Sequence, residues 1–221
     1  MWEIYLNELI AWNKKFNLTA ITGPEEIRIK HFADSLSISQ SLDLAPSSAE
    51  GLSIPSLSVI DIGTGAGFPG IPLKIQYPNI KLTLLEATKK KTLFLEHIIE
   101  LLNLKDVEVV WGRAEEVAKQ RREEFDLAVA RAVAKLNVLT ELCLPFVKVG
   151  GLFVAYKAEN VEAEVVQAEN AIKTLGGKLK EIKKIKLSGT EIIHSLVIIE
   201  KITPTQEKYP RHPSLAIKKP L

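Results

Sequence analysis

The residues best suited to chemistry form a glycine cluster, Asp61-Ile62-Gly63-Thr64-Gly65-Ala66-Gly67. An apolar run at 57–62 leads into this cluster, and a helical pattern near 70–78 follows it. Glycines at such a junction allow a tight turn and let a ligand approach the main chain. The start of the following helix supplies amide N–H groups that have no partner within the helix. The pattern therefore predicts a loop that binds a nucleotide-like cofactor.

Two classes of cofactor compete for this loop. Gly65, Gly67 and Gly70 match the spacing of a dinucleotide-binding fingerprint. Gly63, Gly65 and Gly67, with an acidic residue before them, match the loop of Rossmann-like methyltransferases that use S-adenosylmethionine. The first glycine after the strand is Gly63, and residue 68, where the fingerprint would require a glycine, is Phe68. The acid also suits an ammonium group and repels a pyrophosphate. The methyltransferase is favoured, and a nicotinamide-dependent oxidoreductase or purely structural glycines are the alternatives.

Further cofactor contacts are predicted where the next two strands end. Glu86 follows the apolar run 82–85, and a carboxylate there can accept hydrogen bonds from both hydroxyls of a ribose. Ala87 and Thr88 come next and could border the adenine. After the third strand, the main chain and the acid of Ala114-Glu115 could contact the adenine edge. A solvated strand-end acid is the alternative for Glu86, and spacing alone leaves the Ala114-Glu115 assignment open.

The methyl acceptor is narrowed by what the sequence lacks. Methylation at a pyrimidine C5 needs a cysteine nucleophile. The single cysteine, Cys143, is expected to be buried in the hydrophobic core, on a helix that packs on the sheet. Methylation of an exocyclic amine commonly uses a [DN]PP[YF] motif, where this chain has Ala130-Arg131-Ala132-Val133. Arginine is no base at neutral pH, but it binds phosphates and bases. Guanine N7 needs neither device, because its lone pair is free and in-line transfer requires no general base. A small-molecule acceptor stays open at this point.

The elements that position these residues are two N-terminal helical patterns and an alternating α/β region. The helical patterns cover 2–16 and 22–40, and a linker rich in Ser, Pro and Gly covers 43–56. Beyond it, five short apolar strands alternate with helices, which is typical of a parallel sheet covered on both faces. Residues 178–187 and 192–202 flank a turn and predict an antiparallel pair. The expected division is a helical segment, 1–42, a methyltransferase domain, 57–202, and an extended basic tail, 203–221.

Composition and charge restrict the class of protein. One cysteine excludes an internal disulfide and a cysteine-cluster zinc site, and the four histidines lie too far apart in sequence to predict a metal site. No apolar run is long enough for a membrane span and no signal peptide is evident, so a cytoplasmic protein is expected. From residue 173 onward 11 basic residues stand against 4 acidic ones, whereas the remainder has 18 basic and 23 acidic residues. This asymmetry suggests a polyanionic partner, with a solvated lysine-rich edge as the alternative.

These motifs resemble those of the RsmG family, also called glucose-inhibited division protein B. The resemblance covers nearly the whole chain and rests on segments 12–13, 17–21, 31–36, 61–73, 85–91, 112–115, 130–134, 209–211 and 218–221. The run that continues past the glycines into Phe68-Pro69-Gly70-Ile71-Pro72 is much more specific than a glycine loop alone. The tail departs from the pattern, because His212 to Ile217 stand where relatives usually have a glycine and a proline.

The resemblance implies methylation of a guanine N7 in the 530 loop of 16S ribosomal RNA, with S-adenosylmethionine as cofactor. It implies an α/β, Rossmann-like class I methyltransferase with a seven-stranded, mostly parallel sheet, an antiparallel C-terminal hairpin and N-terminal helices. The implied cofactor contacts include Gly63, Phe68, Ala114, Glu115 and Arg131, and the implied RNA contacts are His31, Asp34, Arg131, Lys157, Arg211, Lys218 and Lys219. A monomer that acts on 16S ribosomal RNA or on the small subunit is expected. A methyltransferase fold that binds RNA as an assembly factor without catalysis is the alternative.

Overall fold

The chain folds around a seven-stranded sheet, as seen in a computed structural model that describes residues 1–42, 56–131, 133–187 and 189–221. The strands are β1 (Ser58–Ile62), β2 (Lys81–Glu86), β3 (Val107–Trp111), β4 (Phe125–Arg131), β5 (Val147–Ala158), β6 (Gly177–Lys186) and β7 (Ile193–Lys201). Their order is β3-β2-β1-β4-β5-β7-β6. Six strands share one direction, and β7 runs antiparallel to β5 and β6. The predicted mostly parallel sheet with its C-terminal hairpin is confirmed.

The two N-terminal helical patterns and the helices expected between the strands are observed, whereas α9 lies in the predicted extended tail. They are α1 (Trp2–Phe16), α2 (Pro24–Ile27), α3 (Asp34–Leu36), α4 (Gly70–Gln76), α5 (Lys89–Leu101), α6 (Ala114–Val117), α7 (Leu136–Cys143), α8 (Glu162–Thr174) and α9 (Pro213–Lys218). A π-helical turn, Arg28–Ala33, joins α2 to α3, and a 3-10 turn, Ser37–Gln40, follows α3. The second predicted helix is therefore one continuous helical stretch that is widened in its middle, and π-helical turns are frequent at functional sites.

The helices cover both faces of the sheet because the central strands are apolar on both sides. In β1, Ile60 and Ile62 belong to the core shared with α7 and α8, whereas Val59 belongs to the core on the other face. Tyr5 and Leu9 of α1 are buried in that second core together with residues of α4 and α5. The N-terminal helical segment thus packs directly on the sheet, and it brings its polar residues to the carboxyl ends of the strands.

The predicted extended tail is wrong over residues 213–218, which form α9. A proline at the first helical position has a suitable φ angle and lacks only an N–H that would have no helical partner there. Ala216 of this helix is buried. The predicted linker at 43–56 lies outside the described residues, except for residue 56. Among the described helices, none has the length and apolar character that crossing a membrane requires.

Candidate cofactor and acceptor cleft

The glycine loop leaves β1 and turns sharply into α4. Gly63, Gly65 and Gly67 have φ angles of 68°, 63° and 97°, in the left-handed region that favours glycine. A Cβ atom at position 67 would lie 2.5 Å from Ile71 Cδ1 and 2.7 Å from the Tyr5 hydroxyl oxygen. Both backbone conformation and packing therefore require glycine at this position.

Asp61 fastens the loop from the sheet side. One carboxylate oxygen accepts hydrogen bonds from Thr64 Oγ1 at 2.6 Å and from the Gly70 N–H at 2.8 Å. The other oxygen is buried and has no partner among the described residues. Burial raises the pKa of Asp61 to about 6, although both hydrogen bonds oppose that rise. Asp61 thus ties the start of the loop to the start of α4.

Glu86 connects the ends of β1 and β2. Its Oε2 accepts a hydrogen bond from the Gly65 N–H at 3.0 Å, and its Oε1 accepts one from the Thr88 N–H at 2.7 Å. Each carboxylate oxygen has two acceptor positions, so these bonds leave room for hydroxyl donors. Ala87 and Thr88 are exposed beside it. The role of Glu86 in ribose binding stays a prediction that this geometry permits.

Tyr5 of α1 supports the glycine loop, a role that the sequence analysis did not predict. Its hydroxyl donates a hydrogen bond to the Ala66 carbonyl at 2.6 Å. Its ring stacks on Phe68 with the ring centroids 5.3 Å apart. Burial raises the pKa of the Tyr5 hydroxyl, which keeps it protonated as a donor. The two bonded residues are 61 positions apart, so local spacing carries no signal for this contact.

A cleft of about 600 Å³ opens beside the loop, between the N-terminal helical stretch and the carboxyl ends of the strands. The predicted site residues that line it are Gly63, Gly65, Phe68, His31, Asp34, Arg131 and Lys157. Residues that line it without having been predicted include Thr19, Lys30, Lys91, Tyr156 and His194. The predicted residues outside this lining are Asp61, Gly67, Glu86, Ala87, Thr88, Ala114, Glu115, Arg211, Lys218 and Lys219.

Arg131, at the end of β4, reaches across the cleft to the N-terminal helical stretch. Its Nη1 donates to the Lys30 carbonyl at 2.9 Å and to Asp34 Oδ2 at 3.0 Å, and its Nη2 donates to His31 Nδ1 at 3.0 Å. The guanidinium carbon lies 5.1 Å from the centroid of the Phe68 ring. Three acceptors and an aromatic face fix the direction of this planar side chain.

His31 is held as a neutral imidazole in the wall of the cleft. Arginine only donates, so the His31 Nδ1 that faces Arg131 carries no proton. The proton therefore lies on Nε2, which is 2.8 Å from Thr19 Oγ1 and donates to it. Burial, together with the Arg131 charge, lowers the pKa of His31 to about 4. The ring also stacks on Phe68 with the centroids 4.5 Å apart.

Asp34 joins Arg131 to a second histidine that sequence analysis did not single out. Asp34 Oδ2 accepts from Arg131, while Asp34 Oδ1 lies 2.6 Å from His194 Nδ1. The carboxylate is buried, with 1% of Asp34 exposed. The hydrogen bond to Asp34 raises the pKa of His194. His194 lies on β7, 160 positions beyond its partner, so the two meet only when the helical stretch packs against the sheet.

Lysines add positive charge around the cleft. Lys157, a predicted RNA contact, donates to the Ala134 carbonyl at 2.7 Å and to Glu164 Oε1 at 2.8 Å. Lys30 and Lys91 also line the cleft. Lys91 belongs to the first turn of α5 and ends a run of three lysines. A cleft with these donors suits an anionic or acceptor-rich ligand.

The cations of the tail fall into two kinds. Arg211 forms a forked pair with the buried Glu141 of α7, at 2.6 Å for Nη2 to Oε2 and 2.8 Å for Nε to Oε1. The Arg211 N–H also donates to Glu141 Oε1 at 2.8 Å. Lys218 and Lys219 are exposed. Arg211 therefore docks the tail on the domain, which the sequence-based assignment to RNA binding did not foresee, whereas the two lysines are accessible.

Ala114 and Glu115 begin α6, on the far side of β2 from β1. Glu115 Oε1 accepts from Arg113 Nε at 2.6 Å. Glu115 and Arg211 line a second pocket of about 440 Å³, separate from the cleft. The predicted adenine contact of this segment rests on its place at the carboxyl end of β3, the same sheet edge as the glycine loop.

Cys143 ends α7 in the core, which confirms its predicted place. It is fully buried, it does not line the cleft, and burial raises the pKa of its thiol. A cysteine nucleophile needs an accessible thiolate, so Cys143 does not provide one. Within the described residues there is no group of three or more side chains that could hold a metal ion.

Comparisons with known proteins agree with this architecture. The family model described as "GidB: rRNA small subunit methyltransferase G" matches residues 1–193. Ribosomal RNA small subunit methyltransferase G of Alkaliphilus metalliredigens is 52% identical over 219 residues, which cover 98% of this chain and 88% of that protein. The protein of the same name from Thermoanaerobacter sp. is 48% identical with the same coverage. The crystal structure of M. jannaschii TYW2 in complex with AdoMet has a TM-score of 0.55 and 22% identity, over 75% of this chain and 76% of that chain.

The sheet order and the glycine loop define a Rossmann-like methyltransferase whose cofactor is S-adenosylmethionine. More particularly, the chain belongs to the GidB family, described as rRNA small subunit methyltransferase G. The methyltransferase interpretation of the loop is confirmed over the nicotinamide-dependent alternative. The residues present fit this cofactor: the left-handed glycines expose main chain, Glu86 has spare acceptor positions, and Asp61 keeps one buried oxygen without a partner among the described residues.

Proposed function

We propose that this protein is a cytoplasmic monomer that methylates guanine N7 in the 530 loop of 16S ribosomal RNA. Membership of the family supports ribosomal RNA as the substrate class. The observation that supports the acceptor atom is the state of the titratable groups in the cleft. Of these groups, His31, Asp34 and Tyr156 are committed to hydrogen bonds within the protein, and the reaction at N7 removes no proton.

His31, Asp34 and Tyr156 present no unpaired base to the cleft, and a reaction at N7 does not need His194, whose Nε2 has no partner among the described residues. His31 is neutral and uses Nδ1 to accept from Arg131. Both oxygens of Asp34 accept hydrogen bonds, and the Tyr156 hydroxyl donates to the Ser35 carbonyl at 2.7 Å. Methylation of an amine has to release a proton, whereas guanine N7 attacks with a free lone pair. The groups around Arg131 therefore suit an acceptor that needs alignment and not deprotonation.

On the cofactor side, the proposed roles follow the ends of β1 to β4. Asp61, Gly63, Gly65 and Gly67 shape the methionine pocket, and Phe68 packs beside it. The ribose binds Glu86, and the adenine is bordered by Ala87, Thr88, Ala114 and Glu115. When bound, S-adenosylmethionine supplies an electrophilic methyl group on a sulfonium. Arg131, fixed by its three acceptors, stands at the boundary between the cofactor and the acceptor base.

On the RNA side, the proposed contacts combine the cleft wall with exposed cations. His31, Asp34 and Arg131 form the wall against which the base would lie, and Lys157 lies next to it. Lys218 and Lys219 neutralise phosphates outside the cleft. Each phosphate contact releases counterions, so RNA affinity should fall steeply as salt rises.

The experiment is methyl transfer to small ribosomal subunits from a strain that lacks this modification. The protein is incubated with methyl-labelled S-adenosylmethionine, and the labelled nucleotide is mapped. Label on one guanine of the 530 loop, at a site cut by the cleavage chemistry that detects N7-methylguanine, is the expected result. Label at another nucleotide would overturn the proposed acceptor. Cofactor and RNA binding without transfer to any substrate would favour a non-catalytic assembly factor.

A further inference from the structure

His194 lines the cleft, and its two ring nitrogens differ in their partners. Its Nδ1 is taken by Asp34 Oδ1 at 2.6 Å. Its imidazole lines the cleft with 29% of the side chain exposed. No described residue forms a hydrogen bond with His194 Nε2, whereas Arg131, His31 and Asp34 all have defined partners. A pairing of one nitrogen with a buried carboxylate fixes the ring and leaves the other nitrogen to face a ligand.

The partner at Nδ1 decides what Nε2 can do. An ionised carboxylate only accepts, so His194 Nδ1 carries the proton that lies between it and Asp34. In the neutral imidazole, Nε2 then has a lone pair and is an acceptor. The second oxygen of Asp34 accepts a hydrogen bond from Arg131 Nη1 at 3.0 Å, so the carboxylate is held in place from both sides.

The cationic side chains of the cleft are hydrogen-bond donors, in contrast to His194 Nε2. Arginine and lysine side chains donate and never accept. Arg131, Lys157 and Lys91 therefore provide donors, while the carboxylate of Asp34 is already occupied. Neutral His194 is consequently an acceptor in a cleft whose cations donate.

We propose that His194 determines base specificity by accepting a hydrogen bond at Nε2 from an N–H on the pairing edge of the acceptor guanine. This inference rests on the proposed function. Guanine presents donors at N1 and at its exocyclic amine beside an acceptor at O6, so it needs both an acceptor and a donor in its pocket. Adenine lacks the N1–H, and its N1 would face the His194 lone pair unfavourably. His194 contacts the base and takes no part in the transfer of the methyl group.

Protonation of His194 would convert the acceptor into a donor and weaken this contact. The charged and titratable side chains that line the same cleft as this imidazole are Asp34 from α3, Arg131 from β4, Tyr156 and Lys157 from β5, His31 and Lys30 from the π-helical turn, and Lys91 from α5. Asp34 favours the imidazolium and Arg131 opposes it, with a net raised pKa of His194. Affinity for the RNA should therefore be full above that pKa and fall as the pH drops through it.

Two substitutions separate base contact from structural support. In H194N the side-chain amide can still donate to Asp34, as Nδ1 does, but nothing replaces Nε2. In H194Q the longer side chain carries a carbonyl oxygen toward the position of Nε2 but loses the short bond to Asp34. His97, which pairs with Glu8 at 2.8 Å between α5 and α1, provides the matched control H97N outside the cleft.

The measurement is steady-state methyl transfer to small subunits, with KM for the subunit and kcat determined between pH 5.5 and 8.5. We expect H194N to raise KM about tenfold, as the loss of one hydrogen bond to a base implies. H194Q should raise it less. The affinity for S-adenosylmethionine should stay unchanged in both, and the low-pH rise in KM should disappear in H194N. H97N should match the wild type.

The opposite ranking would overturn the inference. If His194 only supports Asp34, H194N should behave as the wild type, while H194Q should lose stability and kcat. An unchanged pH profile of KM in H194N would also contradict a contact through Nε2. Failure of the wild type to methylate any guanine would instead refute the proposed function itself, and this inference with it.

Discussion

The two walls of the cleft are built by different means. The glycine-loop wall, residues 63–68, is shaped by main-chain conformation and by hydrogen bonds to backbone N–H and carbonyl groups. The Arg131 wall, which consists of His31, Asp34, Arg131 and His194, is shaped by hydrogen bonds between side chains of the helical stretch, β4 and β7. The first wall can be specified by a short run of sequence. The second exists only when distant elements have met.

This difference also separates how the walls can fail. Main-chain shape depends on what each position tolerates sterically, so a single methyl group can disturb it. A buried polar network depends on complete partnering, because one removed member leaves the others desolvated and unpaired. The Arg131 wall should therefore show the larger single-residue effects, and the following experiments test that ranking.

The largest expected effect is that of Arg131→Ala. It removes three hydrogen bonds and leaves the buried Asp34 carboxylate without its arginine. Loss of one partner of a buried ion pair costs about 3 kcal/mol or more of unfolding free energy. We expect methyl transfer to fall by at least ~100-fold, which corresponds to roughly 3 kcal/mol. Urea unfolding measures the loss of unfolding free energy, and the labelled-subunit assay measures the loss of methyl transfer. Arg131→Lys keeps the positive charge but lacks the forked guanidinium group, so its losses of stability and of methyl transfer should be intermediate.

A smaller effect is expected for Gly67→Ala on the other wall. The new Cβ would meet Ile71 and Tyr5 at a φ angle of 97°. Strain and overpacking together should cost about 2 kcal/mol of unfolding free energy, and cofactor affinity should fall. Gly150→Ala is the control, because its φ is 88° and, apart from its chain neighbours, no atom of the described residues lies within 4 Å of the place that a Cβ would take there. Equal losses in both variants would mean that packing against the loop contributes nothing.

Between pH 4 and 6.5, Asp61, which holds the glycine loop, and His31 of the Arg131 wall should respond to acid in opposite directions. The pKa of Asp61 is raised from 3.8 to about 6 in the folded chain, so its contribution to stability is present below pH 4 and is lost as the pH rises through 6. The pKa of His31 is lowered from 6.5 to about 4, so its contribution is present above pH 6.5 and is lost as the pH falls through 4.

Single variants should reveal these opposed slopes. Asp61→Asn should make the free energy of unfolding rise more steeply with pH across this window, and His31→Gln should flatten or reverse that rise. Each change should amount to roughly 1–3 kcal/mol over the window. Urea midpoints at half-unit intervals of pH measure it. A change in the same direction for both variants would contradict the assigned protonation states.

The smallest effect on stability is expected outside both walls, at Lys218 and Lys219. Substitution of either by alanine should leave the unfolding free energy within about 0.5 kcal/mol, because both are exposed. RNA affinity should lose about one unit of its logarithmic salt dependence for each lysine that contacts a phosphate. Lys173→Ala, on the exposed face of α8, removes the same charge as a control. An unchanged salt dependence for both tail variants would exclude the tail from RNA binding.

The site features that could be predicted from the sequence lie in and beside the glycine loop, whereas contacts between distant parts of the chain were missed. The glycine loop was predicted because its conformation depends on residues within one turn of one another, and Glu86 because it ends the neighbouring strand. Tyr5 and His194 were missed because each meets its partner across a large part of the chain. Arg211 was assigned to RNA because the sequence shows its charge but not the buried Glu141 that binds it. The tail helix was missed because prolines are compatible both with extended chain and with the first turn of a helix.

The sequence by itself determined the alternation of strands and helices, the parallel sheet, the burial of Cys143 and the class of cofactor. Each of these depends on local conformation or on the pattern of apolar residues. Only the tertiary structure decided which polar groups face one another, because burial removes water and makes partners compulsory. Burial and the Arg131 charge together fixed the neutral state of His31, and the hydrogen bond to Asp34 fixed which ring nitrogen of His194 carries a proton. Those protonation states, which no local pattern encodes, define the chemistry that the cleft can perform.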